Sequence, residues 1–195
     1  MAANMAMNGM LHRALLRELD RVEGFVESGD TDAARKHWWF FSDNLHHHHE
    51  GEDEYIFPVA RERSRDPEEL ATLDALAAEH EQMHAALDAC DADFRGDATL
   101  PASTVADLRA LRLVVAAHCA HEEADGERIL ARYITEDDLK EFNQANRKAK
   151  HAMLVFPWIA DGGSPADQQV YNVLPGPVRL FMKPMMKRKY RAYFG

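Results

Sequence analysis

The chain has 195 residues, of which 46% are hydrophobic and 29% charged, and its formal net charge is −10. These values are typical of a folded globular protein with one domain, or with one domain and an appendage. No run of 18 apolar residues occurs, and the first residues lack the features of a secretory signal, so neither a transmembrane helix nor secretion is expected. With two cysteines and an acidic total, we expect a cytoplasmic protein that does not bind nucleic acid.

Two features of this composition are unusual. Histidine occurs 11 times, which is well above its ordinary usage. The charge is also unevenly distributed, because residues 151–195 contain six basic and two acidic side chains. Their balance of +4 leaves −14 on residues 1–150, out of the total of −10. This asymmetry indicates a body followed by a different C-terminal part. Together with the helix pattern, we expect the body over residues 8–135 and a C-terminal extension over residues 136–195.

The first part of the chain contains two predicted helices. Over residues 10–28 the apolar side chains recur at steps of three and four, as in an amphipathic helix: Leu15, Leu16, Leu19, Val22 and Val26. A Gly-Asp pair ends this helix. The second helix follows Thr31-Asp32 as an N-cap and continues to about residue 63. Pro58 lies inside its pattern and predicts a kink or a break there.

Two more predicted helices complete the body. The third begins at Asp66-Pro67, where a proline and two following glutamates favour a helix start, and it ends at Gly96-Asp97. The fourth begins near residues 101–103 and continues to about residue 133. No alternating strand pattern is present. Four amphipathic helices with short connections predict an all-α, antiparallel up-and-down four-helix bundle.

The extension begins with a further, very polar helix. Thr135 and Asp138 form a capping box that predicts a helix to about His151. Prolines and glycines interrupt the remaining sequence, so we expect short helices joined by turns. Apolar side chains of the extension are expected to pack these helices on the bundle, namely Phe156, Trp158, Ile159, Leu174 and Phe181.

Polar side chains interrupt the apolar stripe of each of the four body helices. They are His12, His48, Glu52, His80, His84, His118 and Glu122. Burying polar groups without partners is costly, and seven such groups converging from four helices cannot all satisfy one another. Metal cations remove the difficulty, because they bind the lone pair of a neutral imidazole and neutralise carboxylates. The stripes therefore predict a metal site.

The spacing of these residues favours a site for two ions. Three of the pairs are four residues apart, which places both side chains on one face of a helix: His48–Glu52, His80–His84 and His118–Glu122. Seven ligands exceed the usual protein ligand set of one ion, so two ions are the natural number. Imidazole nitrogens with two carboxylates suit iron, zinc, copper or manganese better than calcium or magnesium.

These motifs resemble those of a known family, the hemerythrin-like proteins with an HHE cation-binding domain. The matching stretches are LHRALLREL, HHEGEDEYIFP, EHEQMH and HCAHEE, in the family's own order. The chain is most similar to bacterial, actinobacterial-type members with a C-terminal extension. The resemblance implies a four-helix bundle with two iron ions joined by an oxo or hydroxo group, zinc and manganese being the alternatives. By position, Glu52 and Glu122 would bridge the two ions.

The last carboxylate ligand has two candidates. Hemerythrins have an aspartate five residues after the last histidine, where this chain has Glu123. The bacterial HHE proteins instead have a glutamate four residues after that histidine, which here is Glu122. Helix geometry favours Glu122, because Glu123 points about 140° away from His118.

Other residues near the motifs are candidates for a supporting position beside the ligands: His49, His121 and Tyr55. His49 with Asp53 could also form a shifted His–carboxylate pair. Ordinary surface positions are the simpler interpretation for several histidines, namely His37, His46, His47, His49 and His151. The basic end of the chain is expected to fold against the acidic bundle, with contact to an anionic membrane or nucleic acid as the alternative.

The predicted site suggests three classes of function. Nitrogen-rich ligation leaves little negative charge to stabilise high-valent iron, so we expect binding or sensing of O2, NO or peroxide. An enzyme that decomposes peroxide, reduces NO or oxidises a small substrate is the first alternative. An iron or zinc binding or storage bundle is the second. One hypothesis for the extension is that it covers the open end of the centre, and we expect a monomer or a homodimer.

Overall fold

The computed structural model describes residues 6–96 and 99–195, and within them it contains helices and no β-strand. Two π-helical segments, π1 and π2, interrupt the body helices, and one 3₁₀ segment lies in the extension. The body consists of α1 (Ala6–Ser28), α2 (Thr31–Gly51), π1 (Glu52–Ile56), α3 (Phe57–Arg63), α4 (Pro67–Phe94), α5 (Thr104–His121), π2 (Glu122–Gly126) and α6 (Glu127–Tyr133). The extension consists of α7 (Leu139–Lys148), α8 (Val155–Ala160), the 3₁₀ segment Asp167–Val173 and α9 (Gly176–Phe194). The all-α prediction is confirmed.

The helix starts follow from local capping. Asp30, and not the predicted Thr31-Asp32, is the N-cap of α2, because its side chain accepts a hydrogen bond from the Ala33 amide at 3.1 Å. The helix α4 begins at Pro67 as predicted, and Asp66 caps it by accepting from the Glu68 amide at 2.9 Å. The Thr135–Asp138 box also forms, with the Thr135 amide donating to Asp138 at 2.8 Å. Asp97, predicted to close the third helix, lies outside the described residues.

The two π segments occupy equivalent places in the two halves of the body. In π1 the Phe57 amide donates to the Glu52 carbonyl, and in π2 the Glu127 amide donates to the Glu122 carbonyl. Pro58 follows π1 in the first turn of α3, which confirms a break in the helix near that proline. Each π segment begins on a glutamate of a His-x-x-x-Glu pair, and single π turns are frequent at functional sites.

The body buries two groups of apolar side chains. The larger one includes Leu15, Trp38, Phe41, Leu45, Met83, Leu87, Leu111 and Val115. The smaller one consists of Ile56, Phe57, Ala60, Leu73, Leu76, Ile129, Leu130 and Ile134. In sequence, His48 and Glu52 lie between Leu45 of the larger group and Ile56 of the smaller group, and His80 lies between Leu76 of the smaller group and Met83 of the larger group. The apolar core therefore surrounds a polar layer.

The extension shares the larger core instead of forming its own. Trp158 belongs to that core, and its indole nitrogen donates to Glu18 of α1 at 2.9 Å. Ile159 is buried as predicted, but Phe181 is 75% exposed, because it lies on the outward side of α9. The division at residues 135 and 136 stays a prediction.

Two histidines outside the metal motifs, both expected at the surface, are buried. His37 is 8% exposed and pairs through Nδ1 with Glu18 at 2.5 Å, while His151 is 6% exposed and pairs through Nε2 with Asp43 at 3.0 Å. The surface prediction was wrong because each imidazole finds a carboxylate on another part of the chain. Such long-range pairing leaves no periodic signal in the sequence.

No helix among the described residues is sufficiently long and apolar to cross a membrane. This finding agrees with the hydropathy of the sequence. It also agrees with the polar composition of α9, whose exposed side carries several lysines and arginines.

Candidate metal centre

Four helices bring their predicted histidines into one buried cluster. His12 comes from α1, His48 from the end of α2, His80 from α4 and His118 from α5, and all four are buried. The first residues of π1 and π2 add Glu52 and Glu122, which are also buried. Six of the seven predicted ligands therefore lie inside the bundle.

One half of the cluster consists of His12, His48 and Glu122. The Nε2 atoms of His12 and His48 are 3.2 Å apart, and Nε2 of His12 is 3.1 Å from Oε2 of Glu122. One potential ligand atom of each residue lies within 4.8 Å of those of the other two. Two nitrogens and an oxygen at such separations form a chelating group of the kind that binds a transition-metal ion.

The other half consists of His49, His80 and His118. The Nε2 atoms of His80 and His118 are 3.2 Å apart. The ring of His49 stacks on that of His80 with a centroid distance of 4.0 Å and an interplanar angle of 12°. The ligand atoms of these three residues also lie within 4.8 Å of one another, so this half offers three nitrogens.

The two glutamates connect the halves. Glu52 places Oε1 at 3.6 Å from Nε2 of His48 and Oε2 at 3.6 Å from Nε2 of His80. Glu122 places Oε2 at 3.1 Å from Nε2 of His12 and at 4.0 Å from Nε2 of His118. Each carboxylate thus faces one histidine of each half, which is the placement that a bridging ligand needs.

The cluster contains polar atoms that the protein itself does not satisfy. Oε2 of Glu52 and both carboxylate oxygens of Glu122 are buried without a hydrogen-bond partner, as are Nε2 of His84 and both ring nitrogens of His49. Such atoms are rare in native proteins and cost about 1–3 kcal/mol each. Metal cations would satisfy them, so the residues present fit the pair of ions that the sequence predicts.

A ring of acidic side chains surrounds the histidines. Sequence reasoning missed Glu79 and considered Glu123 and Asp53 only as alternative ligands, not as partners of the histidines. Nδ1 of His12 pairs with Glu123 at 2.9 Å, Nδ1 of His80 with Asp53 at 3.0 Å and Nδ1 of His118 with Glu79 at 2.9 Å. Carboxylates that bind Nδ1 direct Nε2 toward a metal and increase its basicity. A signal was available, since each of the three acids is the immediate sequence neighbour of a predicted ligand.

The predicted supporting residues occupy three different environments. His121 pairs through Nδ1 with Glu79 at 2.8 Å and so shares that carboxylate with His118. Tyr55 packs at the edge of the smaller apolar group, on the part of π1 beside Glu54. His49, expected at a partly exposed position, is buried within the cluster.

The remaining predicted ligand, His84, lies at the margin of the cluster. Its side chain is only partly buried, and its ring centroid is 5.0 Å from that of His46 and 6.0 Å from that of His49. It belongs to neither of the two three-residue groups. Its role as a ligand stays a prediction.

The charges within the cluster are set by burial and mutual contact. Burial, followed by the field of neighbouring histidines, lowers the pKa of His48 and His49 well below the ordinary value, so both rings are neutral and able to bind a metal. Burial and the nearby Glu122 raise the pKa of Glu52. For Glu122 itself, the opposing effect of burial is outweighed by the contact with His12, and its pKa is lowered.

One side of the centre is covered by the extension through α7. Phe142 packs so closely on Gly51, the last residue of α2 before π1, that a Cβ added there would lie 2.5 Å from the phenyl ring. Oδ1 of Asn146 accepts a hydrogen bond from Nε2–H of His47 at 2.8 Å. Glycine at position 51 therefore permits α7 to approach the backbone between His48 and Glu52.

Comparison with known proteins agrees with this geometry. The sequence profile of the Hemerythrin HHE cation binding domain matches residues 10–125. The chain belongs to this family. The matched region contains all seven predicted ligands, as well as the carboxylates that bind Nδ1 of three of them. Neither curated proteins nor solved structures give a match, so this HHE domain is interpreted from its own residues.

Proposed function

We propose that this HHE protein holds two iron ions in its buried cluster and binds or senses a small ligand there, namely O2, NO or peroxide. The observation that carries the proposal is the placement of Glu52 and Glu122, each of which faces histidines of both halves. A single ion would not require two such carboxylates. Membership of a cation-binding family supports the same conclusion.

The residues would divide between the ions as follows. His12 and His48 would hold the first ion, and His80 and His118 the second, for which the sequence predicts His84 as a third nitrogen. Glu52 and Glu122 would each contribute one oxygen to the first ion and one to the second. Iron at such a site supplies redox chemistry and open coordination positions, while the protein supplies orientation and a dry environment.

The nitrogen content of the site favours ligand binding over hard oxidation. Ferritin-like oxidases build their di-iron centres mostly from glutamates, whereas this cluster offers more histidines than carboxylates. Because fewer carboxylates lie near the ions, the site stabilises high oxidation states of iron less strongly than a glutamate-rich site does. The flanking apolar groups and the cover by α7 also restrict access to small molecules.

Metal analysis with an optical spectrum in air tests the proposal. We expect two irons per chain and near-ultraviolet charge-transfer bands, which change when NO or azide is added. A colourless protein that contains zinc would contradict the iron assignment and favour a structural or storage role. Rapid loss of added peroxide with release of O2 would instead indicate an enzyme that decomposes peroxide.

A further inference from the structure

Most of the exposed large apolar side chains lie on or just before α9. Six such side chains are exposed among the described residues, and five of them lie between positions 173 and 185: Val173, Val178, Leu180, Phe181 and Met185. We call these five residues the apolar patch. Phe181 lies three residues after Val178 and four before Met185, a spacing that places all three on one side of the helix. Exposed apolar side chains grouped in this way, with polar side chains around them, are typical of interaction sites.

The same helix carries an unbalanced positive charge. All six basic residues of positions 151–195 lie in α9, which contains no aspartate or glutamate: Arg179, Lys183, Lys187, Arg188, Lys189 and Arg191. Asp161 pairs instead with Arg21 of α1 at 2.9 Å. Asp167 pairs with Arg13 of α1 at 2.6 Å. In the described part of the chain no carboxylate forms a salt bridge with the six cations, since both acids of this region pair with α1.

The two sides of α9 have different surroundings. Met186 is buried in the larger core, and Tyr190 and Phe194 pack against that core. Phe181 and Arg188 are exposed and lie seven residues apart, which is two helical turns, so they point in similar directions. The inward side therefore holds α9 on the body, while the outward side presents an apolar half followed by a basic half.

A partner for this outward side must cover apolar side chains and supply negative charge at the same time. Nucleic acid supplies phosphates but would leave the apolar patch uncovered. A second copy of the chain has an acidic body, but outside the patch Leu113 is the one exposed large apolar side chain among the described residues. Two copies of α9 in contact would bring like charges together. A bilayer with anionic lipids offers both features, because its phosphates lie directly above an apolar interior.

We propose that the outward side of α9 binds the surface of a bilayer that contains anionic lipids. The apolar patch enters the boundary between headgroups and acyl chains, and the basic side chains of the second half contact the lipid phosphates. The helix lies on the membrane and does not cross it. This inference is independent of the proposed function, since neither the buried cluster nor its metal takes part in the contact.

Flotation with lipid vesicles tests the contact. The full-length protein is mixed with vesicles of phosphatidylcholine alone, or of phosphatidylcholine with phosphatidylglycerol. We expect the wild type to float with the anionic vesicles only, and less of it at high salt, because salt screens the charge of the headgroups. Absence of binding to the anionic vesicles, or equal binding to both kinds of vesicle, would overturn the inference.

A first double variant tests the apolar half. Leu180 and Phe181 are 72% and 75% exposed, so Leu180→Ser with Phe181→Ser should keep the fold but bind anionic vesicles at least about 10-fold more weakly. Leu113→Ser is the matched control, because this side chain of α5 is 71% exposed, and it should bind as the wild type does. Thermal unfolding checks that the fold of each variant is intact. A folded double variant that binds like the control would contradict insertion of the patch.

A second double variant tests the basic half. Lys187→Gln with Arg188→Gln removes two positive charges and should weaken binding to anionic vesicles by about 10-fold. Arg128→Gln with Lys140→Gln, at exposed positions of α6 and α7, changes the net charge equally and should leave binding unchanged. Equal losses in both pairs would show that net charge, and not α9, determines the binding.

Two further outcomes would assign the outward side of α9 to a different partner. Binding of duplex DNA that the lysine and arginine substitutions abolish, with no binding of vesicles, would indicate a nucleic acid. A dimer in sedimentation velocity without lipid, which the substitutions at Leu180 and Phe181 dissociate, would indicate a second copy of the chain. Either result would overturn the inference.

Discussion

At the scale of single residues, the centre depends on ligands that the protein alone leaves unsatisfied. Replacing Glu122 or His80 by alanine removes a buried group but leaves the others without a partner. We expect both variants, Glu122→Ala and His80→Ala, to lose bound metal almost completely and to unfold at a lower temperature than the wild type. Elemental analysis and thermal denaturation check this. Near-normal metal in both variants would contradict the ligand assignment.

The acids that hold Nδ1 are a second test at this scale. Glu79 accepts from both His118 and His121, so Glu79→Gln weakens the orientation of a ligand without removing it. Metal affinity should fall by about 10–100-fold, the usual effect of losing such a partner, while the helix content stays unchanged. Glu81→Gln is the matched control on the exposed side of α4. Equal chelator competition curves for the two variants would show that Glu79 does not position the ligand.

These residues also show what a sequence predicts well and what it does not. His12, His48, His80 and His118 were found because they interrupt apolar stripes, and a stripe is a local, periodic signal. Glu79 was missed, and the contact of Asp53 with His80 was not predicted, because partly exposed acids are common on helices. His37 and His151 were misplaced because their carboxylate partners lie on other helices.

At the scale of elements, α7 contacts the end of α2, just before π1, through a glycine. The helix α7 has no buried residue. Its Leu139 and Phe142 pack on the smaller apolar group, and Phe142 also contacts Gly51 beside the centre. Gly51→Ala should cost about 1–3 kcal/mol by overpacking, and amide hydrogen exchange in α7 should increase. Gly24→Ala in α1 is the control, because nothing lies within 4 Å of its added Cβ, and it should stabilise the protein by about 0.5–1 kcal/mol.

A double variant decides whether the contact itself is responsible. Phe142→Ala removes the ring that the new methyl group would strike. In the Phe142→Ala background, Gly51→Ala should therefore cost little, and the difference measures the coupling between the two positions. Equal costs in both backgrounds would place the effect within the end of α2 and not at the contact with α7.

The elements were predicted unequally, for a physical reason. The long helices α1, α2, α4 and α5 follow from amphipathic periodicity and caps, which are local. The π segments were predicted only as a break near Pro58, because a π turn keeps helical composition and changes only the hydrogen-bond register. The positions of α8 and α9 depend on long-range contacts that short, proline-interrupted segments do not encode.

At the scale of the whole molecule, Asp167 joins the extension to the body beside the metal centre. Its carboxylate is 1% exposed and accepts from Arg13 at 2.6 Å and from the Ser164 amide at 2.9 Å. Arg13 directly follows the predicted ligand His12 in α1. The extension therefore contributes to the stability of the helix that supplies this ligand.

The pH dependence of stability should report this connection. Burial by itself would raise the pKa of Asp167, but the hydrogen bonds from Arg13 and Ser164 outweigh it and lower the pKa below the ordinary value. A carboxyl group with a lowered folded-state pKa stabilises the fold above its unfolded pKa of about 3.9, and this contribution disappears as the pH falls through the folded-state value.

Asp167→Asn should therefore be less stable than the wild type at pH 7, by about 1–3 kcal/mol. The difference should shrink below about pH 4. Urea unfolding of the chelated proteins across this range measures both effects, with Asp74→Asn at an exposed ion pair as the control. A difference that is independent of pH would show that the carboxylate charge of Asp167 does not hold the extension on α1.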